Sequence, residues 1–155
     1  MENQARKFKR VMVVDDTYVD RFIAERNIRK FNFAEEIILK DSAQSALEYL
    51  KSLSRSPELV PELIFLDIRM PEVDGFGFLA EFDWLPDNVK KNTEIVMLST
   101  SLNPCDLERA RKNAYVTKFV NKPLDKTVIM KLQNGESSTA MGDDEGHAVI
   151  RVRNK

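Results

Sequence analysis

Five short apolar runs stand out in the hydrophobic pattern of the chain. They are rich in Val, Ile and Leu, they do not alternate with polar residues, and they cover residues 11–14, 37–39, 63–66, 95–98 and 119–120. Short, uninterrupted runs of this kind are typical of strands that are buried on both faces. The pattern therefore predicts five strands of a parallel sheet.

Stretches with helical spacing follow the runs. One helix face is predicted by apolar residues at i, i+3, i+4 and i+7, namely Ala43, Ala46, Leu47 and Leu50. Val19, Phe22 and Ile23 begin a similar stripe after the first run, and we expect it to face the core. Asn103 can cap a helix after the fourth run, and a last helix would begin near Asp125 and end at Asn134 and Gly135.

Strand followed by helix, five times over, is the pattern of an open α/β fold with right-handed crossovers. We predict a doubly wound, flavodoxin-like sheet of five parallel strands in the order 2-1-3-4-5, flanked by five helices. The domain would span residues 11–133, between a basic N-terminal segment, 1–10, and a polar C-terminal tail, 134–155. Within that tail, Val149 and Ile150 form a single late apolar pair.

Composition and charge narrow the range of functions. The 155 residues carry a formal net charge of −1, so the chain has no bulk attraction to nucleic acid or to anionic membranes. Cys105 is the one cysteine and cannot form an internal disulfide, which fits a reducing cytoplasm. His147 is the one histidine and lies outside the apolar body of the chain, which argues against a histidine-based triad or zinc site. No apolar run approaches the roughly 20 residues of a membrane span.

Polar residues that can bind phosphate or metal follow four of the five runs. They are Asp15 and Asp16, Asp67, Ser99 and Thr100, and Asn121 and Lys122. The carboxyl ends of parallel strands lie along one edge of a sheet, and ligands bind there where the strand order reverses. Strands one and three are neighbours in the predicted order, so the three aspartates should lie close together. Each ending alone is more typical of a turn or a helix cap, but the coincidence of four predicts a site.

The residue types at this edge predict a specific chemistry. Two carboxylates about 4 Å apart repel each other by about 4 kcal/mol, so the cluster should take up a proton or bind a cation. Oxygen ligands on an accessible rim favour a hard ion such as Mg²⁺. Lys122 offers a positive charge to a phosphate oxygen, and Ser99 offers a hydroxyl donor. A carboxylate nucleophile beside a divalent cation and a lysine is the equipment of phosphoryl transfer.

Four segments, taken in order and with their spacing, resemble the receiver domain of two-component response regulators, the CheY-like fold. They are VMVVDD, LIFLDIRMPEVDGF, IVMLSTS and FVNKPL. The resemblance implies that Asp67 is the phosphoacceptor. It also implies that Asp15, Asp16 and Asp67, with the backbone carbonyl of Arg69, hold Mg²⁺ or Mn²⁺.

The same resemblance implies roles for the later strand ends. Lys122 would bind a phosphoryl oxygen, and Pro123 after it would follow a cis peptide bond. Ser99 and Thr100 would lie beside the phosphoryl group, where the methyl group of Thr100 would narrow the access to Asp67. Ser99 and Phe119 would form the switch, in which the ring of Phe119 follows the movement of Ser99 and remodels the face between the fourth and fifth predicted helices.

The implied function is that of a stand-alone, single-domain response regulator in a phosphorelay. Its phosphoryl donor would be a sensor histidine kinase or a histidine phosphotransfer protein, and its output an unidentified protein target, with no nucleic acid or membrane partner. Such a receiver catalyses its own phosphorylation and dephosphorylation and turns over no external substrate. After the last predicted helix we expect no room for a DNA-binding or enzymatic output domain.

Three alternatives stay open at this point. The protein could serve as a phosphate sink or shuttle and not as a switch. An aspartate-nucleophile phosphatase would need an acid two residues after Asp67, where Arg69 stands. A flavin- or nucleotide-binding module would need a Gly- or Ser-rich phosphate loop after the first strand, where Asp15 and Asp16 would repel phosphate.

Overall fold

The computed structural model describes residues 8–137 and 147–153. Its strands are β1 (Phe8–Val14), β2 (Ala34–Lys40), β3 (Leu63–Asp67), β4 (Glu94–Ser99), β5 (Val116–Asn121) and β6 (Val149–Arg151). Its α-helices are α1 (Tyr18–Lys30), α2 (Ala43–Ser52), α3 (Gly75–Phe82), α4 (Asp87–Lys90), α5 (Pro104–Arg111) and α6 (Lys126–Asn134). A single 3₁₀ turn, Pro57–Leu59, precedes β3.

The strands form one sheet in the order β2-β1-β3-β4-β5-β6. The first five are parallel, which confirms the predicted fold class and the order of these strands. β6 and the short α4 are additional to the five strands and five helices that the sequence predicted. Every residue of β3, β4 and β5 is buried, as expected for uninterrupted apolar strands between two layers of helices. One core packs α2, α3 and α5 on one face of the sheet, and a second packs α1 and α6 on the other.

The helix boundaries predicted from capping residues are confirmed. The side chain of Asn103 accepts a hydrogen bond from the backbone N–H of Cys105 at the start of α5. Asp125 caps α6 in the same way, through the N–H of Val128. Gly135 ends α6 with a φ of 73°, a left-handed conformation that costs glycine little.

The sheet takes in residues from both of the flanking segments that the sequence set apart from the domain. Phe8 already belongs to β1, where its ring packs against Phe33 with centroids 5.1 Å apart. Val149 and Ile150, assigned above to a polar tail, form β6 antiparallel to β5. Because successive strand residues point to opposite faces, Val149 enters one core and Ile150 the other. A pair of apolar residues is too short to predict a strand from the sequence. The strand forms because its two apolar side chains are buried on opposite faces of the sheet.

Beyond β6, Arg153 holds the C-terminal end of the described residues against α5 and β5. Its guanidinium group donates hydrogen bonds to the backbone carbonyls of Val116 at 3.0 Å and Arg111 at 2.7 Å, and to that of Asn113. These carbonyls lie at the end of α5 and the start of β5. The C-terminal strand is therefore held at one end by a cation as well as by its apolar side chains.

The expectation that Val19 and Phe22 face the core is wrong. Their exposed fractions are 58% and 50%, whereas Ala24 and Ile28 are the buried residues of α1. The first turn of α1 lies beside the end of β1, and only the later turns cover the sheet. Ile23 is half-buried. Within the described residues, no helix is long and apolar enough to cross a membrane.

Candidate functional site

Three aspartates meet at the carboxyl edge of the sheet, as predicted. β1 and β3 are paired so that Val14 lies opposite Leu66, and this register places the residues that follow side by side. Asp15, Asp16 and Asp67 each contribute a carboxylate oxygen to a group within 4.8 Å of one another. Asp15 and Asp67 are buried, and Asp16 is exposed.

Lys122 reaches this cluster from the end of β5. Its Nζ lies 2.7 Å from Asp15 Oδ2 and 3.2 Å from Asp67 Oδ1. The peptide bond to Pro123 is cis, as the resemblance implies. A third carboxylate, Asp20 Oδ2, lies 2.9 Å from the same ammonium group.

Asp20 is the residue of this site that the sequence analysis missed. It follows the acidic pair by one helical turn, a position where an acidic residue is ordinarily read as stabilising a helix N-terminus. Its contact with Lys122 bridges 102 positions in the chain, so no local pattern could reveal it. Only the packing of α1 beside the end of β5 brings the two side chains together.

Burial and neighbouring charges together set the pKa values of the two central groups, Asp67 and Lys122. Burial, and then the negative charge of Asp15, raise the pKa of Asp67 to about 7, although Lys122 counteracts the rise. Burial alone would lower the pKa of Lys122. The close carboxylates of Asp15 and Asp20 outweigh that effect and raise this pKa above its ordinary value, so the lysine stays charged.

The donor set fits a hard divalent cation. All three side chains offer oxygen, and one of them, Asp67, has a pKa raised by burial and then by the negative charge of Asp15. A divalent ion would relieve that repulsion and find the oxygen ligands that Mg²⁺ and Mn²⁺ prefer. The arrangement can therefore hold a cation next to an ammonium group.

A close backbone approach shapes the loop after β3. The N–H of Gly75 donates to the carbonyl of Ile68 at 2.9 Å. A Cβ atom at residue 75 would lie 2.7 Å from the backbone oxygen of Asp67, closer than side chains tolerate. Glycine is therefore required where α3 begins, since any larger residue would displace the carbonyl of Asp67.

Arg69 links the loop after β3 to α5. Its backbone N–H faces Asp67 Oδ1 at 3.4 Å. Its guanidinium Nη2 lies 2.7 Å from Asp106 Oδ2, and that carboxylate is buried in the first turn of α5. The sequence suggested only the backbone carbonyl of Arg69 as a ligand. The structure adds an ion pair that ties this loop to a neighbouring helix.

Ser99, Thr100 and Phe119 lie on the neighbouring strands. Ser99, the last residue of β4, is buried, and its hydroxyl donates to the carbonyl of Ser101 and not to the acidic cluster. Thr100 is exposed. The ring of Phe119 is fully buried in the core that also contains Leu107 of α5. Of the predicted residues, the structure thus groups the three aspartates and brings Lys122 into contact with Asp15 and Asp67. Among the described residues, no hydrogen bond joins the side chain of Ser99, Thr100 or Phe119 to that cluster.

Sequence comparisons with known proteins point to one family. The sequence matches the profile of the response regulator receiver domain over residues 11–134. It is 30% identical over 127 residues to the response regulator Rcp1 of Synechocystis, a match that covers 78% of this chain and 84% of Rcp1. Among other relatives, it spans 59% of the length of a rice two-component response regulator, ORR1.

Two solved structures share the fold. A two-component response regulator from Cytophaga hutchinsonii has a TM-score of 0.76 and 29% identity, with 84% of this chain and 97% of that chain covered. The receiver domain of the Arabidopsis thaliana histidine kinase CKI1, in complex with Mg²⁺ and BeF₃⁻, has a TM-score of 0.67 and 26% identity, with 81% and 85% covered.

Proposed function

The chain belongs to the response regulator receiver family, and from that premise we propose that Asp67 accepts a phosphoryl group from the phosphohistidine of a sensor kinase or phosphotransfer protein. One observation carries the proposal: the ammonium group of Lys122 contacts two buried carboxylates, Asp67 at 3.2 Å and Asp15 at 2.7 Å. This arrangement supplies a carboxylate nucleophile, two of the carboxylates of the cation site and a positive charge for the transferred phosphoryl group.

In the proposed reaction, a carboxylate oxygen of Asp67 bonds to phosphorus while the P–N bond of the phosphohistidine breaks and its electron pair stays on the imidazole. Lys122 Nζ, 3.2 Å from Asp67 Oδ1, is within reach of a phosphoryl oxygen and would offset its charge. Mg²⁺ or Mn²⁺, held by Asp15, Asp16, Asp67 and the carbonyl of Arg69, would supply further positive charge. Positioning and charge neutralisation account for most of the catalysis of such transfers.

The signal would leave the site through Ser99 and Phe119. We expect the Ser99 hydroxyl to leave the carbonyl of Ser101 and donate to a phosphoryl oxygen. Phe119 shares its core with Leu107 of α5 and Ile150 of β6, so a movement of its ring would be transmitted to both elements. Phosphorylation would thus shift the equilibrium between two conformations in which Phe119 packs differently against α5 and β6.

The donor protein would dock on the first turns of α1. Tyr18, Val19 and Phe22 are exposed there, and the rings of Tyr18 and Phe22 stack with centroids 6.3 Å apart. An exposed apolar patch next to a polar site is typical of a protein interface. It lies just after Asp15 and Asp16, where a phosphohistidine would have to approach.

Intact-protein mass spectrometry tests the proposal. Wild type, Asp67→Asn and the control Asp41→Asn, an exposed carboxylate that follows β2, would be incubated with a small-molecule phosphoryl donor, with and without Mg²⁺. We expect one Mg²⁺-dependent phosphoryl group on wild type and on the control, and none on Asp67→Asn.

Two results would count against the proposed function. If neither the small-molecule donor nor a phosphorylated histidine phosphotransfer protein labels wild type, the proposed function is wrong. Release of inorganic phosphate from simple esters by wild type, at many turnovers per protein, would favour the phosphatase alternative, which the cation at position 69 argues against.

A further inference from the structure

The ammonium group of Lys122 lies among three carboxylates. It has three N–H donors, and oxygens of Asp15, Asp20 and Asp67 lie 2.7, 2.9 and 3.2 Å from Nζ. Its side chain is 8% exposed, and Asp20 Oδ2 accepts a hydrogen bond from Nζ with regular geometry. Two of them, Asp15 and Asp67, also belong to the candidate cation site. Asp20 does not belong to that set.

We propose that Asp20 is a positioning residue that holds Lys122 in place when a cation and a phosphoryl group draw on Asp15 and Asp67. The inference rests on the proposed function. A divalent cation beside Asp15 and Asp67 would repel the ammonium group and reduce the charge those carboxylates offer it. Asp20 keeps a third carboxylate in contact with Nζ, one that is not part of the candidate cation site.

The surrounding packing fixes Asp20 relative to Lys122. Asp20 lies in the first turn of α1, and the Asn27 side chain in the same helix donates to the carbonyl of Leu124 at 2.7 Å. The N–H of Lys122 donates to the carbonyl of Ser99 at 2.8 Å. Asp20 and Asn27 thus both hold α1 against the segment that follows β5. The first residue of that segment, Lys122, is also hydrogen-bonded to the last residue of β4.

The simpler interpretation is that Asp20 only stabilises the N-terminus of α1. The reactivity of Lys122 separates the two, because a carboxylate that acts only on the helix terminus leaves the lysine amine unaffected. A matched variant controls for the loss of a charge and an ion pair on α1. Glu25 lies on the same helix, carries the same charge and pairs with Arg29 at 3.0 Å, and its side chain is 32% exposed against 31% for Asp20. Glu25→Gln therefore removes an equivalent charge and ion pair without touching Lys122.

The first measurement is the phosphorylation rate at saturating MgCl₂ and varied small-molecule donor. We expect Asp20→Asn to lower the maximal rate about tenfold with little change in the donor concentration at half-maximal rate, since positioning acts on the transfer step. Asp20→Glu should recover most of the rate, and Glu25→Gln should match wild type. A wild-type rate in Asp20→Asn would overturn the proposal.

The second measurement needs no phosphorylation. An amine-reactive reagent would be applied to each variant in excess MgCl₂, and modification of Lys122 quantified by peptide mass spectrometry. We expect Lys122 to react about fivefold faster in Asp20→Asn, and at the wild-type rate in Asp20→Glu and Glu25→Gln, because a lost charge-assisted hydrogen bond frees the amine. Unchanged reactivity in Asp20→Asn contradicts the proposal.

The two measurements also separate failure of this inference from failure of the proposed function. A wild-type protein that takes up no phosphoryl group contradicts the function, whereas Lys122 labelling still decides the role of Asp20. A normal wild type with an unaffected Asp20→Asn variant contradicts the positioning role alone.

Discussion

Asp67 is the residue at which burial and neighbouring charge most clearly oppose ionisation. Burial first, and then Asp15, raise its pKa to about 7, close to physiological pH. Below that pH the metal-free site holds a proton on Asp67, and above it the site holds an additional negative charge. A cation that binds here must therefore displace the proton at low pH and finds the carboxylate already ionised at high pH.

At the residue scale, we predict that Mg²⁺ binding releases close to one proton at about pH 6 and almost none at about pH 8. The apparent affinity should fall as pH drops below about 7, since protonated Asp67 cannot serve as a ligand. Calorimetric titration in buffers of different ionisation enthalpy measures the proton count. Asp67→Asn is the control and should show neither effect. Equal proton release at both pH values in wild type would contradict the assignment.

At the scale of elements, β6 connects the C-terminal segment to the site. The N–H of Asn121, next to Lys122, donates to the carbonyl of Ala148 at 3.1 Å, and Phe119 lies opposite Ile150. β6 therefore covers the edge of the very strand that carries the lysine. A short strand of this kind depends on its buried side chains, because it contributes few backbone hydrogen bonds.

Shortening Ile150 tests how firmly β6 is docked. Ile150→Ala should lower the free energy of unfolding by about 2 to 4 kcal/mol, because the fully buried side chain leaves a cavity beside Phe119. Arg151→Ala, at the exposed neighbouring position, should change it by no more than about 0.5 kcal/mol. Urea denaturation measures both. Equal, small effects would show that β6 adds little to the fold.

At the scale of the whole molecule, the raised pKa of Asp67 makes the free energy of unfolding depend on pH. The unfolded chain releases the proton of Asp67 near the ordinary pKa of 3.8, whereas the native protein keeps it up to about pH 7. Between these values the native state binds the extra proton, so stability falls as pH rises through the window and then levels off. A cation that binds only the native state would restore stability at high pH.

We therefore predict that wild type in a chelating buffer loses unfolding free energy between about pH 4 and pH 7, relative to Asp67→Asn. Excess Mg²⁺ at about pH 8 should stabilise wild type much more than the variant. Denaturant titrations at constant ionic strength measure both differences. Parallel pH profiles of the two proteins would show that Asp67 does not carry this coupling.

The sequence by itself determined the five parallel strands, their order and the polar strand ends. Uninterrupted apolar runs favour strands in a parallel sheet, although the run in the edge strand β2 is only partly buried. The carboxyl ends of parallel strands lie along one edge. Asp15, Asp16, Asp67 and Lys122 could therefore be brought together from their positions in the chain alone. Capping residues such as Asn103 gave the helix starts for the same reason, because their chemistry is local.

Only the tertiary structure decided which surfaces are covered and which charges meet. It buried Ile150 in a sixth strand, left Phe22 exposed and brought Asp20 to Lys122. Each outcome depends on residues far apart in the chain, such as the 102 positions between Asp20 and Lys122. Local periodicity records which residues could be buried on an element. Tertiary packing determines which distant residue buries such a side chain or pairs with it. In this protein it places Asp20 beside Lys122 and so sets the charge around the lysine.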